Sequence, residues 1–254
     1  MFTIEHLDGS MLKADEQGWK VLDMSKDSIE ADVVSESSTM RPGRLAYGIS
    51  YGVRTYTLSF TALYSDNVAY EKLVDLVNYH FLRDEPFYLY RDFRKPKERT
   101  SLPVKRDYVA GLSVKPKRIG NHKVQFDVSC ESYELPFSED SQIQARTWTG
   151  THQFTNGGGY KIDPRFCFAK MTITAKGAGN DLKITVNGQP YFWYKRAVSA
   201  GDKFIIDGTD VTKNSYNCFE DCHKQTTFFK VGINQIKITG APCEVMFEYR
   251  QLYL

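Results

Sequence analysis

The sequence lacks a long apolar segment, a secretory leader and a regular cysteine pattern. None of its apolar runs approaches the ~18 residues that a membrane-spanning helix needs. The first ten residues have neither the basic region nor the apolar stretch of a signal peptide. The five cysteines are odd in number and irregularly spaced, which argues against a disulfide framework. We therefore expect reduced thiols, no membrane association and synthesis in a cytoplasm.

The composition shows no sign of disorder or of a fibrous repeat. Hydrophobic residues make up 41% and charged residues 25% of the 254 positions, as in globular proteins. A chain of this length forms one large domain or two ordinary ones.

The small net charge of +2 hides a strong asymmetry along the chain. Residues 1–90 carry 8 Lys and Arg against 14 Asp and Glu, whereas residues 91–123 carry 11 against 3, and residues 124–254 balance at 14 each. The basic block 91–123 would suit nucleic acid or an acidic protein face. It would equally suit a solvated β-arm whose charges discourage edge pairing. Head-to-tail contact with the acidic segment of a second copy makes assembly the favoured interpretation.

The N-terminal half predicts strands around a single helix. Residues 53–64 alternate apolar and polar side chains with a period of two, which is typical of a half-buried strand. Residues 66–83 then show the helical i, i+3, i+4, i+7 spacing, after a Ser-Asp pair that can cap the helix. The helix residues that we expect to be buried against the strand are Leu73, Val74 and Val77.

Two composition changes suggest the domain organisation. Residues 94–123 join basic runs to an alternating stretch and predict a strand pair with an extended basic arm. Residues 131–145 lose the apolar period and gain proline, serine and acidic residues, as at a domain boundary. We expect an N-terminal β-domain over 1–140 and an antiparallel β-sandwich over 141–254, although the last strand could return to the first domain. The sandwich strands are predicted at 166–176, 182–188, 191–198, 203–208, 228–232, 234–240 and 243–254.

Few residues combine into a reactive site. Cys218, Cys222 and His223 have ligand types that zinc prefers, but no second ligand pair follows, so two free thiols in a loop remain the alternative. The five histidines lack a neighbouring nucleophile signature. We therefore expect no enzyme and no catalytic, cofactor-binding or metal-binding residue.

Two further motifs in the second half allow a binding role. The glycine run 157–159 lacks the Lys-Ser/Thr pair of a phosphate loop, and indicates a wide turn or a close approach of another backbone. Aromatic and acidic side chains of the types found in sugar sites also occur, although one face of their strand should be core. These are Trp148, Tyr191, Trp193 and Tyr194 with Asp202, Asp207 and Asp210.

Several segments occur in an order that identifies a family. They are MRPGRLAYGISYGVRTYTLSF, EPFYLYRDF after the helix, KVQFDVSCESYELPFSE, FTNGGGYKIDP, GDKFIIDGTDVTKNS and VGINQIKITGAPCEVMFEYRQLYL. Together they span essentially the whole chain. In this order they resemble the distal tail proteins of long-tailed, non-contractile bacteriophages, which are baseplate hub components.

The resemblance implies a structural role in the virion, at the tail tip. The N-terminal domain, with one helix and an extended arm, would close into a hexameric ring, single or paired. The ring would join the tail tube protein to a tail-associated lysin or tail-tip protein, and DNA would pass through it without specific binding. A C-terminal galectin-like sandwich would carry receptor-binding or peripheral baseplate proteins. The family has no catalytic residues to transfer.

One alternative function stays open on the sequence. A carbohydrate-binding module could recognise a host cell-wall saccharide through Trp148 or Trp193. An enzyme acting on cell-wall glycan is disfavoured because no acid/base pair of carboxylates is evident.

Overall fold

The chain divides into two compact units, Met1–Ser138 and Glu139–Leu254. The computed structural model describes residues 1–38, 41–94, 103–223 and 227–254. Each unit has its own core of buried apolar side chains. The predicted fold class, mainly β with one α-helix, is confirmed. Within the described ranges, no helix combines the length and the apolar character of a membrane span.

An antiparallel sheet forms the body of the first unit. Its strand order is β2-β1-β7-β8-β9-β6-β3, while β4 and β5 pair only with each other as a separate hairpin among the described strands. The strands of this unit are β1 (Phe2–His6), β2 (Met11–Lys13), β3 (Lys20–Lys26), β4 (Ala31–Ser38), β5 (Arg41–Tyr51), β6 (Thr55–Leu63), β7 (Phe87–Arg91), β8 (Lys105–Arg118) and β9 (Lys123–Ser132).

Strand β6 organises the core as its alternation predicts. Tyr56, Leu58, Phe60 and Ala62 are all buried on one face. Phe60 lies opposite Phe126 of β9, with ring centroids 5.3 Å apart. The period of two in the sequence therefore becomes the inner face of the sheet.

Helix α1 (Asn67–Phe81) covers this inner face. The Asp66 carboxylate caps it by accepting the N–H of Ala69 at 2.8 Å. Val77 and Phe81 are buried, and the Phe81 ring lies 5.9 Å from that of Phe2.

Leu73 and Val74, which we expected to be largely buried, are only half-buried. The closest approach of helix and sheet is at the last turn of the helix instead. A Cβ at Gly111 of β8 would stand 1.7 Å from the Phe81 carbonyl oxygen, so only glycine admits the helix this closely. The helix therefore seats its C-terminal end most deeply.

The basic arm expected at 94–123 is placed differently by the structure. Strand β8 lies inside the sheet and pairs with β9 from Val109 opposite Ser132 to Arg118 opposite Val124. Residues 95–102 lie outside the described residues. The β8–β9 pairing holds the alternating basic stretch in the sheet. The separate hairpin of this unit is instead β4–β5.

Two antiparallel sheets form the second unit. One has the order β11-β21-β13-β16-β17-β18 and the other β12-β20-β14-β15-β19. The strands from the boundary onward are β10 (Ser138–Asp140), β11 (Gln144–Thr149), β12 (His152–Asn156), β13 (Ala169–Ala175), β14 (Gly179–Val186), β15 (Gln189–Val198), β16 (Lys203–Asp207), β17 (Asp210–Lys213), β18 (Tyr216–Asn217), β19 (Cys222–His223), β20 (Gly232–Thr239), β21 (Cys243–Tyr249) and β22 (Leu252–Tyr253).

The two sheets pack face to face, as expected for a sandwich. Phe154 of β12 lies 5.3 Å from Phe247 of β21, and Phe192 of β15 lies 5.7 Å from Phe204 of β16. Both aromatic pairs join one sheet to the other through a single buried cluster. The predicted strand 228–232 is reduced to one bridge, between Phe229 and Ile162.

The end of the described chain is tied to the start of the second unit. The Asp140 carboxylate accepts the Tyr253 hydroxyl at 2.8 Å and the Gln251 N–H at 3.1 Å. The Arg250 guanidinium donates to the Asp140 carbonyl oxygen. The glycine run also takes part, since the Gly159 N–H donates to the Leu252 carbonyl oxygen at 2.8 Å. The close backbone approach predicted for residues 157–159 is confirmed.

Phe81→Ala should lower the free energy of unfolding by ~3–5 kcal/mol, because it empties the most deeply seated position of the helix. Chemical denaturation of the full chain measures this change. Val68→Ala is the control on the same helix, where the side chain is 65% exposed, and should change stability by less than about 0.5 kcal/mol. Equal small effects of both substitutions would show that the helix does not depend on Phe81.

Candidate functional site

The β4–β5 hairpin presents apolar side chains that no other described strand covers. Val33, Val34 and Ile49 are exposed by 56%, 50% and 58%. Val33 lies directly opposite Ile49. A two-stranded hairpin is only marginally stable in water, and exposed apolar strands invite pairing with another chain. Val33 and Ile49 share one face of the hairpin and Val34 lies on the other. We call these three residues the hairpin patch, and both faces are candidate assembly surfaces.

The inner face of the first sheet ends in a polar cluster around Asp107. One carboxylate oxygen of Asp107 accepts the hydroxyls of Tyr56 at 3.2 Å and Ser138 at 2.5 Å. The other accepts the Nε of Arg91 at 3.1 Å. The Lys26 ammonium donates to the Ser138 hydroxyl at 3.1 Å. These five residues and Arg54, on the same face, form the Asp107 cluster.

Positive charge exceeds negative charge in the Asp107 cluster. Burial lowers the pKa of Lys26 to about 8, because it disfavours the charged ammonium. Asp107 acts in the opposite direction, but Arg54, Arg91 and Lys105 lower the Lys26 pKa further. Burial raises the pKa of Tyr56, so this phenol stays protonated. One carboxylate thus faces several cations.

Three described arginines of the basic block, Arg91, Arg94 and Arg106, form ion pairs within the chain. Arg94 forms a two-point ion pair with Asp92, with nitrogen–oxygen distances of 3.0 and 2.8 Å. Arg106 lies 3.3 Å from the Glu5 carboxylate and stacks 3.5 Å over the Tyr88 ring.

Fully exposed cations remain at the far end of β8. Lys115 and Lys117 lie there with solvent-exposed side chains. The positive charge that the block offers to a partner is therefore smaller than its sequence total.

Two histidines meet beneath the helix. His6 Nε2 and His80 Nδ1 form a hydrogen bond of 2.9 Å, and the two rings stack with centroids 5.2 Å apart. Burial is the main cause that lowers the pKa of each, from the ordinary 6.5. Arg83 lowers the pKa of His6 further, whereas Asp8 and Glu85 raise it.

This pair has a structural position. It joins β1 to α1, and the His6 ring also lies edge-on to Phe87 at 6.1 Å. Both histidines therefore contribute to the packing of the helix on the sheet.

The cysteine–histidine group of the second unit lies at a sheet edge. The sulfur atoms of Cys218 and Cys222 are 3.8 Å apart. His223 is exposed, and its backbone pairs with Trp193. Among the described residues, no three His, Cys, Asp or Glu side chains stand close enough together to hold a metal ion.

The aromatic residues considered for sugar binding are not brought together. Trp148 is buried in β11 and stacks on His152 at 4.9 Å, so it belongs to the core. Trp193 lies in the other sheet, where Lys183 and Lys195 approach its ring at 5.1 and 5.5 Å. The structure therefore offers no shared aromatic platform from these two side chains.

Two of the carboxylates considered for sugar binding, Asp202 and Asp207, form ion pairs within the second unit. Asp202 forms an ion pair with Lys213 at 2.8 Å and accepts the Ser199 N–H at 2.8 Å. Asp207 lies 3.8 Å from the Lys170 ammonium and opposite Asp210 in the β16–β17 hairpin. The Asp202 contacts stabilise the turn between β15 and β16, whereas the Asp207–Lys170 pair joins β16 to β13.

A mostly apolar pocket of about 320 Å³ in the second unit was not foreseen from the sequence. Tyr191, Ile206, Val211 and Phe219 are among its lining residues. The Tyr191 hydroxyl is buried and has no hydrogen-bond partner in the described part of the chain. Residues from four separate segments form this pocket, so no local motif signals it.

Known proteins were compared with this chain by sequence and by structure. No protein-family profile matches the sequence, and no curated protein does. The fold is that of a phage hub protein. The crystal structure of SPP1 Dit, called a paradigm of the hub adsorption apparatus in Gram-positive infecting phages, gives a TM-score of 0.71 at 10% identity, covering 98% of this chain and 99% of that chain.

A chain of the phage P2 baseplate in its activated conformation with Ca gives a TM-score of 0.49 at 11% identity, with 98% and 97% of the two chains covered. The likeness to SPP1 Dit shows a common fold over nearly the whole length of both proteins. The fold indicated by the ordered sequence segments is thereby confirmed.

Because of the His6–His80 pair, the free energy of unfolding should decrease as the pH is lowered. Because both native pKa values are depressed, the unfolded chain binds more protons than the native chain below about pH 6.5, which favours unfolding. Thermal melts of the full chain should show that Tm decreases between about pH 8 and about pH 5. This decrease should be smaller in His80→Asn than in the wild type. His223→Asn, at an exposed position, should retain the wild-type dependence. An unchanged pH dependence in His80→Asn would contradict this assignment.

Proposed function

We propose that this chain is a structural hub protein of a phage tail and that it acts by assembly. The shared fold with SPP1 Dit supports this class of function. The observation that carries the assembly is the hairpin patch, where Val33, Val34 and Ile49 remain exposed on a hairpin without a further strand partner among the described residues. A second copy of the chain is the partner that would cover it.

The assembly is a hexameric ring, single or paired. Heterologous contacts that close after a fixed rotation produce a ring. In this arrangement the hairpin patch of one copy packs on the first unit of the next. Lys115 and Lys117 then face acidic side chains of the neighbour, in keeping with the acidic charge of residues 1–90. The ring joins the tail tube protein to a tail-associated lysin or tail-tip protein, and DNA passes through its centre.

The second unit serves as the attachment domain at the tail tip of the virion. Its two-sheet sandwich is stable through its own core, which leaves its loops free to contact receptor-binding or peripheral baseplate proteins. We assign it a galectin-like sandwich without a sugar site. The Trp148 side chain, which a saccharide platform would need, is committed to the core. The function requires no cofactor and no catalytic residue.

Ile49→Asp should reduce assembly, because it places a charge in the hairpin patch. Light scattering over a range of concentrations should give six or twelve times the 29.1 kDa of one chain for the wild type, and smaller species for the variant. Ile233→Asp is the matched control, since Ile233 is 56% exposed on β20 of the second unit. It should leave the mass unchanged. A wild-type chain that stays monomeric at every concentration would contradict the ring.

A further inference from the structure

Among the described residues, Arg54 is a buried cation without an ion-pair partner. Its side chain is only 4% exposed, and its Nε and Nη1 atoms have no hydrogen-bond partner among the residues that the structure describes. Its backbone is held firmly, because its N–H donates to the Ser132 hydroxyl at 3.0 Å and its carbonyl accepts the Ser132 N–H at 2.9 Å. The backbone is therefore held in place, and the buried guanidinium has unused donor groups.

The Asp107 carboxylate, which lies in the same cluster, forms no hydrogen bond with the Nε or Nη1 of Arg54. Both Asp107 oxygens already accept hydrogen bonds, from Tyr56 and Ser138 on one side and from Arg91 on the other. A buried charge that lacks a partner carries a large free-energy penalty. Such a group is retained at little cost only if an opposite charge reaches it in the working state of the protein.

Lys26 supplies a second cation beside Arg54. Lys26 lies opposite Tyr56 in the β3–β6 pair, and Arg54 precedes Tyr56 by two residues, so the strand alternation directs all three to the same face. Diagonal neighbours of this kind are within reach of long side chains. Burial is the main cause of the low pKa of Lys26, and Arg54 lowers it further, which places the two cations near each other.

We propose that Arg54 and Lys26 form a binding site for an oxyanion. The guanidinium and the ammonium would both donate charge-assisted hydrogen bonds to the same anionic group. That group is either a free inorganic anion or a carboxylate from a second copy of the chain. The second source rests on the proposed ring, whereas the first does not.

A sulfate titration of the full chain at constant ionic strength tests the site directly. Sulfate should raise the Tm of the wild type above that in matched chloride, because a ligand of the native state stabilises it. Arg54→Met should weaken this sulfate effect about tenfold or more. In chloride, Arg54→Met should melt no lower than the wild type, since methionine removes an unpaired buried charge. Arg196→Met, at an exposed position of the second unit, should respond to sulfate as the wild type does.

Lys26 provides an independent measurement if Arg54→Met folds poorly. Bound sulfate should raise the pKa of Lys26 from about 8 toward its ordinary 10.5, which nuclear magnetic resonance of the lysine side chain would show. Lys26→Met should also weaken the sulfate effect. A purely structural Arg54 would leave the pKa of Lys26 insensitive to sulfate.

Light scattering distinguishes the two sources of the anion. If a second copy supplies the carboxylate, Arg54→Met should reduce the assembled mass and sulfate should compete with assembly. If the anion is free, the mass should be unchanged while the sulfate effect on Tm is lost. The proposal is overturned if sulfate acts no differently from chloride and Arg54→Met also assembles like the wild type. A monomeric wild type would contradict the ring alone, because the sulfate titration would still report on the site.

Discussion

The first unit depends on the aromatic packing around Phe60. Its ring lies 4.7 Å from that of Trp19, 5.3 Å from that of Phe2 and 6.3 Å from that of Phe81. A slip of β6 by one residue would turn Phe60 to the opposite face, so this packing fixes the register of the strand. The same register carries Arg54 to the inner face. The position of the charged cluster is thus a consequence of how the core packs.

Local sequence patterns were enough to predict those elements whose burial is determined by residues close in the sequence. The alternation of β6, the Asp66 cap and the Asn187-Gly188 turn between β14 and β15 could all be predicted, and both turn residues adopt positive φ. The separate β4–β5 hairpin could not. Whether a strand pair joins a larger sheet depends on partners distant in the sequence. For the same reason, the basic charge of β8 suggested a projecting arm, whereas its register with β9 places it in the sheet.

The pairing of charged side chains also depends on residues that are distant in the sequence. The Arg106–Glu5 pair joins residues separated by 101 positions, so counting charge along the chain overestimated what the basic block presents to a partner. Arg54 did leave a signal, because it shares the parity of Tyr56 and Leu58. That parity was visible in the sequence, but the absence of a counter-charge in the fold was not. The parity of a charged residue in a strand therefore predicts its burial, whereas its ion-pair partner depends on the fold.

The hydrogen bonds between Asp140 and residues 250–253 bring the beginning of the second unit and its last strand together. Its beginning and the end of its last strand are held at one point, so segments elsewhere in the sandwich can change length without altering where it is anchored. The entropy cost of a longer loop grows only slowly with its length. Insertions in the turns of this unit are consequently an inexpensive route by which such a protein acquires new surfaces, whereas an insertion in β6 would shift the register of the first core.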